Sequence, residues 1–262
     1  MIIPTLQETL VQDNFFIYTA ADSVYFDTHA RPLINSVRKN APDLGIHIHL
    51  YDPTPEQIAF CQQPMVSYTY ELLDHQSLAG TTEYWLTRTD FTNDRQRQMY
   101  KKGQTLGRDE LHRLVKQTYY ACARFIRLAQ ILPQGKKCLA IDVDGLVRKP
   151  FDYNLGSADV YLYEKPKDGT HLAGAILFNG QSGTHEFLQN YAGQLTAAFE
   201  RDDVYWFLDQ YILDQLVPRY VKGLLPMSYI DWAMRTESAI WSAKGKRKEL
   251  EVFKKEQQRY AQ

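Results

Sequence analysis

Two aspartates one residue apart, Asp142 and Asp144, are the strongest sign of chemistry in the 262-residue sequence. They follow the apolar run 138–141 and precede Gly145 and a second apolar pair. Side chains alternate along a strand, so two carboxylates at alternate positions leave its end in the same direction. Like charges this close repel unless a cation lies between them, and Mg²⁺ and Mn²⁺ take carboxylate oxygens, Mg²⁺ often together with substrate phosphates. We therefore predict a Mn²⁺ or Mg²⁺ site at Asp142 and Asp144.

The setting of this D-x-D pair decides how it is interpreted, because such pairs are common in turns and helix caps. Here the pair stands at the carboxyl end of a predicted buried strand near the middle of the chain. Ligands of open α/β sheets bind in the crevice beyond the carboxyl ends of the strands. This position favours a ligand site over a simple turn.

Strand and helix patterns alternate in front of the pair. Apolar runs at 14–19, 46–51 and 65–70 predict strands, and the spacing of apolar residues over 25–39 and 56–62 predicts helices between them. A loop is predicted to follow the first strand. This order is typical of a parallel sheet covered by helices. The predicted fold class is α/β, with a Rossmann-type, mostly parallel sheet flanked by helices.

The rest of the chain continues the alternation without an internal repeat or a low-complexity linker, which predicts a single domain. Further helices and strands are predicted at 110–132, 159–163, 175–178, 185–200 and 205–216, and a charged surface helix at 245–262. The polar stretch 81–107 shows little periodicity, and an ordered excursion over the sheet and a mobile flap both fit it.

Composition excludes several classes of function. Lys and Arg number 30 and Asp and Glu 31, so the net charge of −1 gives no electrostatic case for nucleic acid. The three cysteines are far apart and suggest neither a zinc site nor a disulfide framework. Residues 1–13 lack a signal-peptide pattern, and no run approaches the ~20 apolar residues of a membrane span. A cytoplasmic location is the resulting expectation.

The order of these features resembles a GT-A-type nucleotide-sugar glycosyltransferase, most closely glycosyltransferase family 8, which includes the glycogenin and lipopolysaccharide galactosyltransferase types. The blocks that carry the resemblance are FFIYTAADSVYFD from Phe15, YYACARFIRLAQIL from Tyr119, LAIDVDGLVRKPF from Leu139, HLAGAILFNG from His171 and WFLDQYILDQL from Trp206. The resemblance implies one GT-A-like domain over 1–262. Its nucleotide-binding part would be about 14–152 and its acceptor-side part about 153–248, followed by a charged helix at 249–262.

Residue roles follow from the resemblance by position. Asp142 and Asp144 would bind the divalent ion that bridges the diphosphate, with Arg124 beside them. Asp209 and Gln210 would be the catalytic pair that faces the donor sugar from the acceptor side. The remaining assignments are the nucleotide-pocket residues Thr19, Ala20 and Asp22, the diphosphate-side residues Gly245 and Lys248, and the sugar-pocket residues Gly174 and Asn179.

Each role has a structural alternative. Arg124 would otherwise form a surface salt bridge, and Asp22 would cap the helix that follows it. Asp209 and Gln210 would otherwise be ordinary residues at the start of a helix.

Two departures from the family pattern bear on the metal and the acceptor. The family usually carries H-x-x-G-x-x-K near its end, where the His is a third metal ligand. Ser242 stands at that His position here, while Gly245 and Lys248 fit. A hydroxyl is a poorer ligand than imidazole, so the metal would be held more weakly or completed by water. The family's N-x-G-V strand is also altered and contains His171 in this sequence. His171 would either bind an acceptor hydroxyl or be an ordinary loop histidine with partners of its own.

The implied reaction is transfer of a sugar from a nucleotide-sugar donor, a UDP-sugar, to a hydroxyl of a glycan or another acceptor, with retention of configuration. The resemblance offers no obvious general base, so the leaving phosphate would help to deprotonate the acceptor. The basic stretch 244–255 allows peripheral contact with an anionic membrane, although a solvated helix explains it as well.

Two other functions remain open at this point. The D-V-D-G segment also resembles the first motif of haloacid-dehalogenase-like phosphatases, with Asp142 as nucleophile, Asp144 as general acid and Asp202–Asp203 as the later acidic pair. Leu146 stands where that motif has Thr. The motif also normally opens the phosphatase domain, whereas three predicted strands precede it in this sequence. The other alternative is a non-catalytic protein of the same fold that binds a glycan or nucleotide, an interpretation that Ser242 supports.

Overall fold

The computed structural model describes residues 1, 3–4, 6, 8–9, 15–165 and 167–261, and the strands in this part of the chain form two sheets. In chain order they are β1 (Glu8–Thr9), β2 (Phe15–Asp22), β3 (Gly45–Tyr51), β4 (Val66–Glu71), β5 (Lys137–Ile141), β6 (Gly145–Val147), β7 (Val160–Glu164), β8 (His171–Phe178), β9 (Lys222–Leu224), β10 (Ile230–Asp231) and β11 (Ile240–Ser242). The main sheet has the order β1-β4-β3-β2-β5-β8-β7-β9, and the small sheet has the order β10-β11-β6.

The centre of the main sheet consists of parallel strands. Strands β4, β3, β2 and β5 pair in parallel, and β8 and β7 continue the sheet in antiparallel orientation. Every residue of β3 is buried, as expected of a strand with helices over both faces. The prediction of an α/β fold with a mostly parallel sheet is confirmed.

Helices cover the sheet on both sides. In the described ranges they are α1 (Ser23–Tyr25), α2 (Arg31–Asn40), α3 (Pro55–Cys61), α4 (His75–Thr87), α5 (Asp94–Leu106), α6 (Arg108–Ile131), α7 (Ser182–Glu200), α8 (Leu208–Leu216) and α9 (Glu251–Gln258), with a π-helical turn at Phe26–Ala30 and 3-10 turns at Val217–Arg219 and Gly245–Glu249. One apolar cluster packs α6 and α7 on one face of the sheet, and a second packs α2 on the other. No described helix is both long and apolar enough to cross a bilayer.

Some local predictions were wrong. Strand β2 runs through Asp22 in register with Tyr51, where a loop was predicted from Ala20 onward. The predicted start of this strand, Asn14, lies outside the described residues. Of the two alternatives for the polar stretch 81–107, the structure favours the ordered excursion, because most of the stretch belongs to α4 and α5.

The small sheet joins the end of the chain to the D-x-D turn. In it, β11 pairs antiparallel with β6, and Ser242 lies opposite Gly145. The continuous helix predicted over 245–262 is instead a 3-10 turn followed by α9, with Leu250 in extended conformation between them. Gln262 lies outside the described part of the chain. An apolar cluster of Leu146, Met234, Trp241, Ala243, Phe253 and Tyr260 packs α9 against this sheet.

Candidate active site at the carboxyl ends of the parallel strands

The D-x-D turn connects β5 to β6. The backbone N–H of Asp142 donates to the carbonyl of Gly174 at 3.0 Å, which ties the turn to β8. The N–H of Gly145 donates to the carbonyl of Asp142 at 3.1 Å and closes the turn. A Cβ on Gly145 would lie 3.2 Å from that carbonyl oxygen, so a glycine fits best here. The two carboxylates are therefore held on a short, tightly anchored connection.

Arg124 of α6 links Asp142 to the start of α8. Its Nη1 donates to Oδ1 of Asp142 at 2.5 Å, and its Nη2 donates to the carbonyl of Ala173 at 3.0 Å and lies 3.8 Å from Oδ2 of Asp209. Burial alone would raise the pKa of Asp142, but Arg124 and Lys244 hold that pKa below the ordinary value of an aspartate. Asp142 is thus an anion in a mostly buried site.

Lys248 pairs with the second carboxylate. Its Nζ lies 2.9 Å from Oδ2 of Asp144 and donates to the hydroxyl oxygen of Tyr25 at 2.7 Å. Burial and the nearby charge of Asp142 raise the pKa of Asp144, and Lys248 opposes that shift. Burial would lower the pKa of Lys248, but Asp144 and Tyr25 raise it above its ordinary value. Each aspartate of the turn therefore has its own basic partner.

Two oxygen atoms at the turn have no partner. Oδ1 of Asp144 and Oγ of Ser242 are buried and accept or donate no hydrogen bond within the described ranges. Their segments adjoin, because the N–H of Ala243 donates to the carbonyl of Asp144 at 3.0 Å. Leaving such a buried group unsatisfied costs about 1–3 kcal/mol.

A hard divalent cation would satisfy both atoms, since carboxylate and hydroxyl oxygens are the ligands that Mg²⁺ and Mn²⁺ take. The described chain offers no cluster of three or more His, Cys, Asp or Glu side chains for a metal. Such an ion at Asp142, Asp144 and Ser242 would therefore draw its further ligands from substrate oxygens or water. The residues present fit an ion shared with a substrate.

Asp209 and Gln210 lie in the first turn of α8, and both are buried. Burial raises the pKa of Asp209, although Arg124 and Lys244 act in the opposite direction. The carbonyl of Asp209 accepts the hydroxyl of Tyr191 at 2.9 Å, and Oε1 of Gln210 accepts Nζ of Lys244 at 3.4 Å. These contacts bring both side chains to the region of Arg124.

A cavity of about 200 Å³ lies over the D-x-D turn. Residues 20–22 at the end of β2 line it, together with Arg124 and both aspartates of the turn. Aromatic side chains form the remaining wall, namely Tyr25, Tyr51, Tyr120 and Trp206. We call this space the donor-side cavity. Its lining joins flat apolar surfaces to a strongly charged end.

Solved structures of other proteins share this architecture. The chain matches a galactosyltransferase, LgtC, in complex with donor and acceptor sugar analogs, over 93% of its own length and 95% of that chain, with a TM-score of 0.57 and 14% identity. It also matches the glycosyltransferase GlyE of Streptococcus pneumoniae TIGR4 over 92% of its own length and 60% of that chain, with a TM-score of 0.55 and 14% identity. The chain has a GT-A fold. The resemblance to family 8 glycosyltransferases is therefore confirmed at the level of the fold.

A third match is the bifunctional glycosyltransferase WbbM, with a TM-score of 0.53 and 16% identity. The match covers 88% of this chain and 46% of the WbbM chain. No protein-family model matches the sequence. No curated protein matches it either.

The GT-A fold brings most of the predicted site residues together. Ala20 and Asp22 line the donor-side cavity, and Asp22 also caps α1, because its Oδ1 accepts the N–H of Tyr25 at 2.8 Å. Gly174 lies directly beside Asp142, since a Cβ there would come within 2.5 Å of Oδ2 of that aspartate. Asp22 can therefore cap α1 and line the donor-side cavity at the same time.

Other predicted residues lie away from this cavity. Thr19 is fully buried inside β2 and is not part of the cavity wall. Asn179 follows the opposite end of β8, where its side chain donates to the carbonyls of Gly156 and Ala158. Gly245 is exposed at the start of the 3-10 turn, and its φ of 66° suits glycine. None of these three positions lines the donor-side cavity.

His171 and the acidic pair of the phosphatase interpretation also have other partners. Nδ1 of His171 lies 2.8 Å from Asp214, and its Nε2 lies 3.6 Å from Glu164. Asp202 binds the amino terminus at 2.8 Å, and Asp203 lies 3.4 Å from Arg88. Neither aspartate lines the donor-side cavity.

Sequence reasoning missed the aromatic wall of the cavity. Tyr51 and Tyr120 stack with their ring centroids 4.6 Å apart, and Nζ of Lys248 lies 4.4 Å from the ring centre of Tyr25. Two signals were present. Tyr51 ends a parallel strand, and Tyr120 stands four residues before Arg124 on one helix, where positions four apart share a face.

Proposed function

We propose that the protein transfers a sugar from a nucleotide-sugar donor, namely a UDP-sugar, to a hydroxyl group of an acceptor. One observation carries the proposal. The D-x-D carboxylates, each paired with a basic side chain, end a cavity with an aromatic wall in a GT-A fold. Such a cavity suits a ligand that has a flat ring at one end and a diphosphate at the other.

The nucleoside part of the donor would lie along the aromatic side. Tyr51 and Tyr120 stack on each other, and burial raises the pKa of Tyr120 above its already high ordinary value, so its ring stays neutral near pH 7. Stacking of a base on an aromatic ring contributes about 1–3 kcal/mol. The backbone of residues 20–22 offers polar groups at the open end of β2.

The diphosphate would lie at the charged end. Asp142, Asp144 and Ser242 would hold a divalent ion, which would supply positive charge next to the leaving diphosphate. Lys248 would turn from Asp144 toward a phosphate oxygen, and Arg124 would keep Asp142 ionised and in place. Arg124 is already held in place by Asp142 and by the carbonyl of Ala173, and a preorganised positive charge favours the state with more negative charge on the leaving group.

The donor sugar would lie between the turn and α8. Asp209 and Gln210 would bind its hydroxyl groups, and Gly174 would leave the space for them beside Asp142. The acceptor oxygen bonds to the anomeric carbon on the face that the diphosphate leaves, so the configuration is retained. Its proton goes to the departing phosphate oxygen, and no side chain acts as the base. A cytoplasmic location remains part of this proposal.

Calorimetric titration with UDP, with and without Mn²⁺, tests the donor site. We expect Mn²⁺ to tighten UDP binding in the wild type and to have no effect in Asp142→Asn/Asp144→Asn. A control with the same loss of charge, Asp43→Asn/Glu200→Gln, changes two exposed side chains outside the cavity and should bind UDP as the wild type does. A screen of UDP-sugars for slow hydrolysis then identifies the donor.

The same titration separates the rival functions. The phosphatase interpretation requires release of phosphate from a phosphoester, which a separate assay measures, and its acidic pair is engaged elsewhere. Ser242, in place of the family's His, favours a protein that binds a nucleotide sugar without turnover. In that case UDP binds, while no UDP-sugar is hydrolysed or transferred. Failure of both UDP and GDP to bind would contradict the transferase proposal.

A further inference from the structure

A second cavity, of about 410 Å³, is lined by Gln210 and by neither aspartate of the D-x-D turn. We call it the acceptor-side cavity. Phe207, Gln210 and Lys244 line it, and the last two also contact each other. Trp206, the neighbour of Phe207, lines the donor-side cavity, so one short segment before α8 separates the two spaces.

Four basic side chains converge on the acceptor-side cavity from three parts of the chain. They are Arg95 of α5, Lys165 after β7, and Lys244 and Arg247 near the 3-10 turn. Across the described ranges, none of the four has a carboxylate within 4.0 Å. Like charges gathered in a partly buried pocket repel each other, so this arrangement costs free energy when the pocket is empty.

The neighbouring basic residues show the contrast. Lys222, close in space, lies 2.9 Å from Glu164, and Arg124 and Lys248 pair with the D-x-D carboxylates. Lys244 also lowers the pKa of Asp142, so its charge interacts with the donor side as well. Arg95 and Lys165 line only spaces outside the donor-side cavity, and Lys165 acts on the exposed carboxylate of Asp168 without forming an ion pair within 4.0 Å among the described residues.

Aromatic side chains complete this cavity. Tyr163 and Trp232 contact each other with ring centroids 4.5 Å apart, and Trp232, 8% exposed, has an indole N–H without an acceptor among the described residues. Phe207 lies 5.9 Å from the guanidinium of Arg95 and 5.6 Å from Nζ of Lys244. Flat apolar rings beside hydrogen-bonding and charged groups suit the faces of a sugar ring.

The backbone at Phe207 is strained. Its φ of 71° is in the left-handed region, which a bulky residue rarely adopts. Such strain persists where the surrounding structure enforces it, and it concentrates at ligand sites. Here the strain places Phe207 between Arg95 and Lys244 and begins α8 directly in front of Asp209 and Gln210.

We propose that the acceptor-side cavity binds the acceptor, and that this acceptor is a sugar that carries a phosphate or a carboxylate. The inference rests on the transferase function proposed above. The anionic group binds Arg95 and Lys165, the ring packs on the aromatic side chains, and an acceptor hydroxyl points past Gln210 to the donor sugar. In the transfer, the bond from the anomeric carbon to the diphosphate oxygen breaks and a bond to the acceptor oxygen forms. The acceptor proton goes to the departing diphosphate, and the anionic group of the acceptor does not react.

Titration of the full chain with model sugars in saturating UDP and Mn²⁺ tests this proposal. Glucose 6-phosphate and glucuronate supply the two anionic groups, glucose is the neutral reference, and inorganic phosphate is the bare anion. We expect at least one anionic sugar to bind about tenfold more tightly than both glucose and inorganic phosphate, because charge and ring are recognised together. The tighter of the two sugars then identifies the anionic group.

Paired variants assign the preference to the cavity. Arg95→Gln/Lys165→Gln should lose it while UDP affinity stays within about twofold of the wild type. Arg97→Gln/Lys167→Gln removes two exposed charges two residues further along each segment and should keep the preference.

Three outcomes would overturn the inference. These are equal affinities for glucose and both anionic sugars, inorganic phosphate binding as tightly as the tighter of the two anionic sugars, and loss of UDP binding in Arg95→Gln/Lys165→Gln, which would assign these side chains to the donor. The proposed transferase function is judged separately, by UDP binding to the wild type. If UDP binds and the sugars show no preference, only the present inference fails.

Discussion

A Cβ at position 174 would lie 2.5 Å from Oδ2 of Asp142, a separation that real Cβ atoms essentially never show. Gly174 belongs to β8, and its carbonyl accepts the backbone N–H of Asp142 at 3.0 Å. The carboxylate of Asp142 therefore occupies the space that a side chain at 174 would fill. Arg124 contacts the same aspartate from the helix side, so Asp142 is fixed from two directions.

This relationship predicts the effect of Gly174→Ala. The added methyl group must displace the carboxylate of Asp142, because the backbone of β8 is held in the sheet. We expect a loss of about 1–3 kcal/mol of unfolding free energy and at least a tenfold loss of Mn²⁺-dependent UDP affinity, measured by thermal unfolding and calorimetry. Gly193→Ala on α7 is the control, since nothing lies within 4 Å of a Cβ there. Unchanged UDP binding in Gly174→Ala would show that the position of Asp142 does not matter for the donor.

Ser242→Ala tests whether the hydroxyl at this position binds metal. Oγ of Ser242 is buried without a partner, so its removal should leave the metal-free protein equally stable or about 1 kcal/mol more stable. If the hydroxyl is a ligand, Mn²⁺-dependent UDP binding weakens in the same variant. Thermal unfolding without metal and calorimetry with Mn²⁺ measure the two effects. Equal Mn²⁺ dependence in the variant and the wild type would remove Ser242 from the ligand set.

The buried carboxylate of Glu71 should be essential for stability. Its Oε2 accepts Nε of Arg127 at 2.5 Å, and its Oε1 accepts the hydroxyl of Tyr119 at 2.6 Å. Glu71→Gln leaves Arg127 buried without its anion, so we expect a loss of about 3–5 kcal/mol near pH 7 in urea unfolding. The exposed pair of Glu83 with Arg108 gives the control Glu83→Gln, with a loss below about 1 kcal/mol.

The contribution of Glu71 also has a defined pH dependence. Burial alone would raise the pKa of Glu71, but His49, Arg127 and Tyr119 hold it below its ordinary value. The stabilisation is therefore complete above the unfolded pKa of about 4.3 and is lost as the pH falls through the lower folded pKa. The stability difference between wild type and Glu71→Gln should shrink only in that acidic range. A difference that already shrinks at pH 6 would contradict this assignment.

His29 should make the protein sensitive to mild acid. Burial and the nearby Lys248 lower its pKa to about 4, whereas an unfolded histidine titrates near 6.5. Between these values the unfolded chain binds more protons, so the unfolding free energy should fall by roughly 2–3 kcal/mol as the pH drops from about 6.5 to 4. His29→Gln should flatten this part of the stability curve, measured by urea unfolding at several pH values. The matched change His185→Gln on α7 should retain the slope, and equal slopes in all three proteins would contradict the prediction.

The sequence predicted the sheet and the D-x-D turn well, because both follow from short-range patterns. A buried apolar run that ends in Asp142 and Asp144 determines a strand and the direction of its side chains. The end of β2 was missed, since Ala20 and Ala21 have little preference for strands and are held there by pairing with β3.

The neighbours of the site come from long-range contacts, which a local pattern does not specify. Lys248 reaches Tyr25 across most of the chain, and no local pattern predicts that contact. The resemblance supplied Lys248, but not Lys244, whose charge acts on Asp142. Arg95 was hidden because α5 contains few apolar residues, so that the stretch seemed merely polar.

The small sheet makes the D-x-D turn depend on a segment that is synthesised long after it. Main-sheet strands β2 to β5 can pair as soon as they leave the ribosome, but β6 receives its partner β11 only when Ser242 has emerged. Until Lys248 follows, Asp144 faces Asp142 without its counter-ion. A chain that ends before Ser242 can thus build much of the main sheet and still lack the strand and the counter-ion that complete the D-x-D turn.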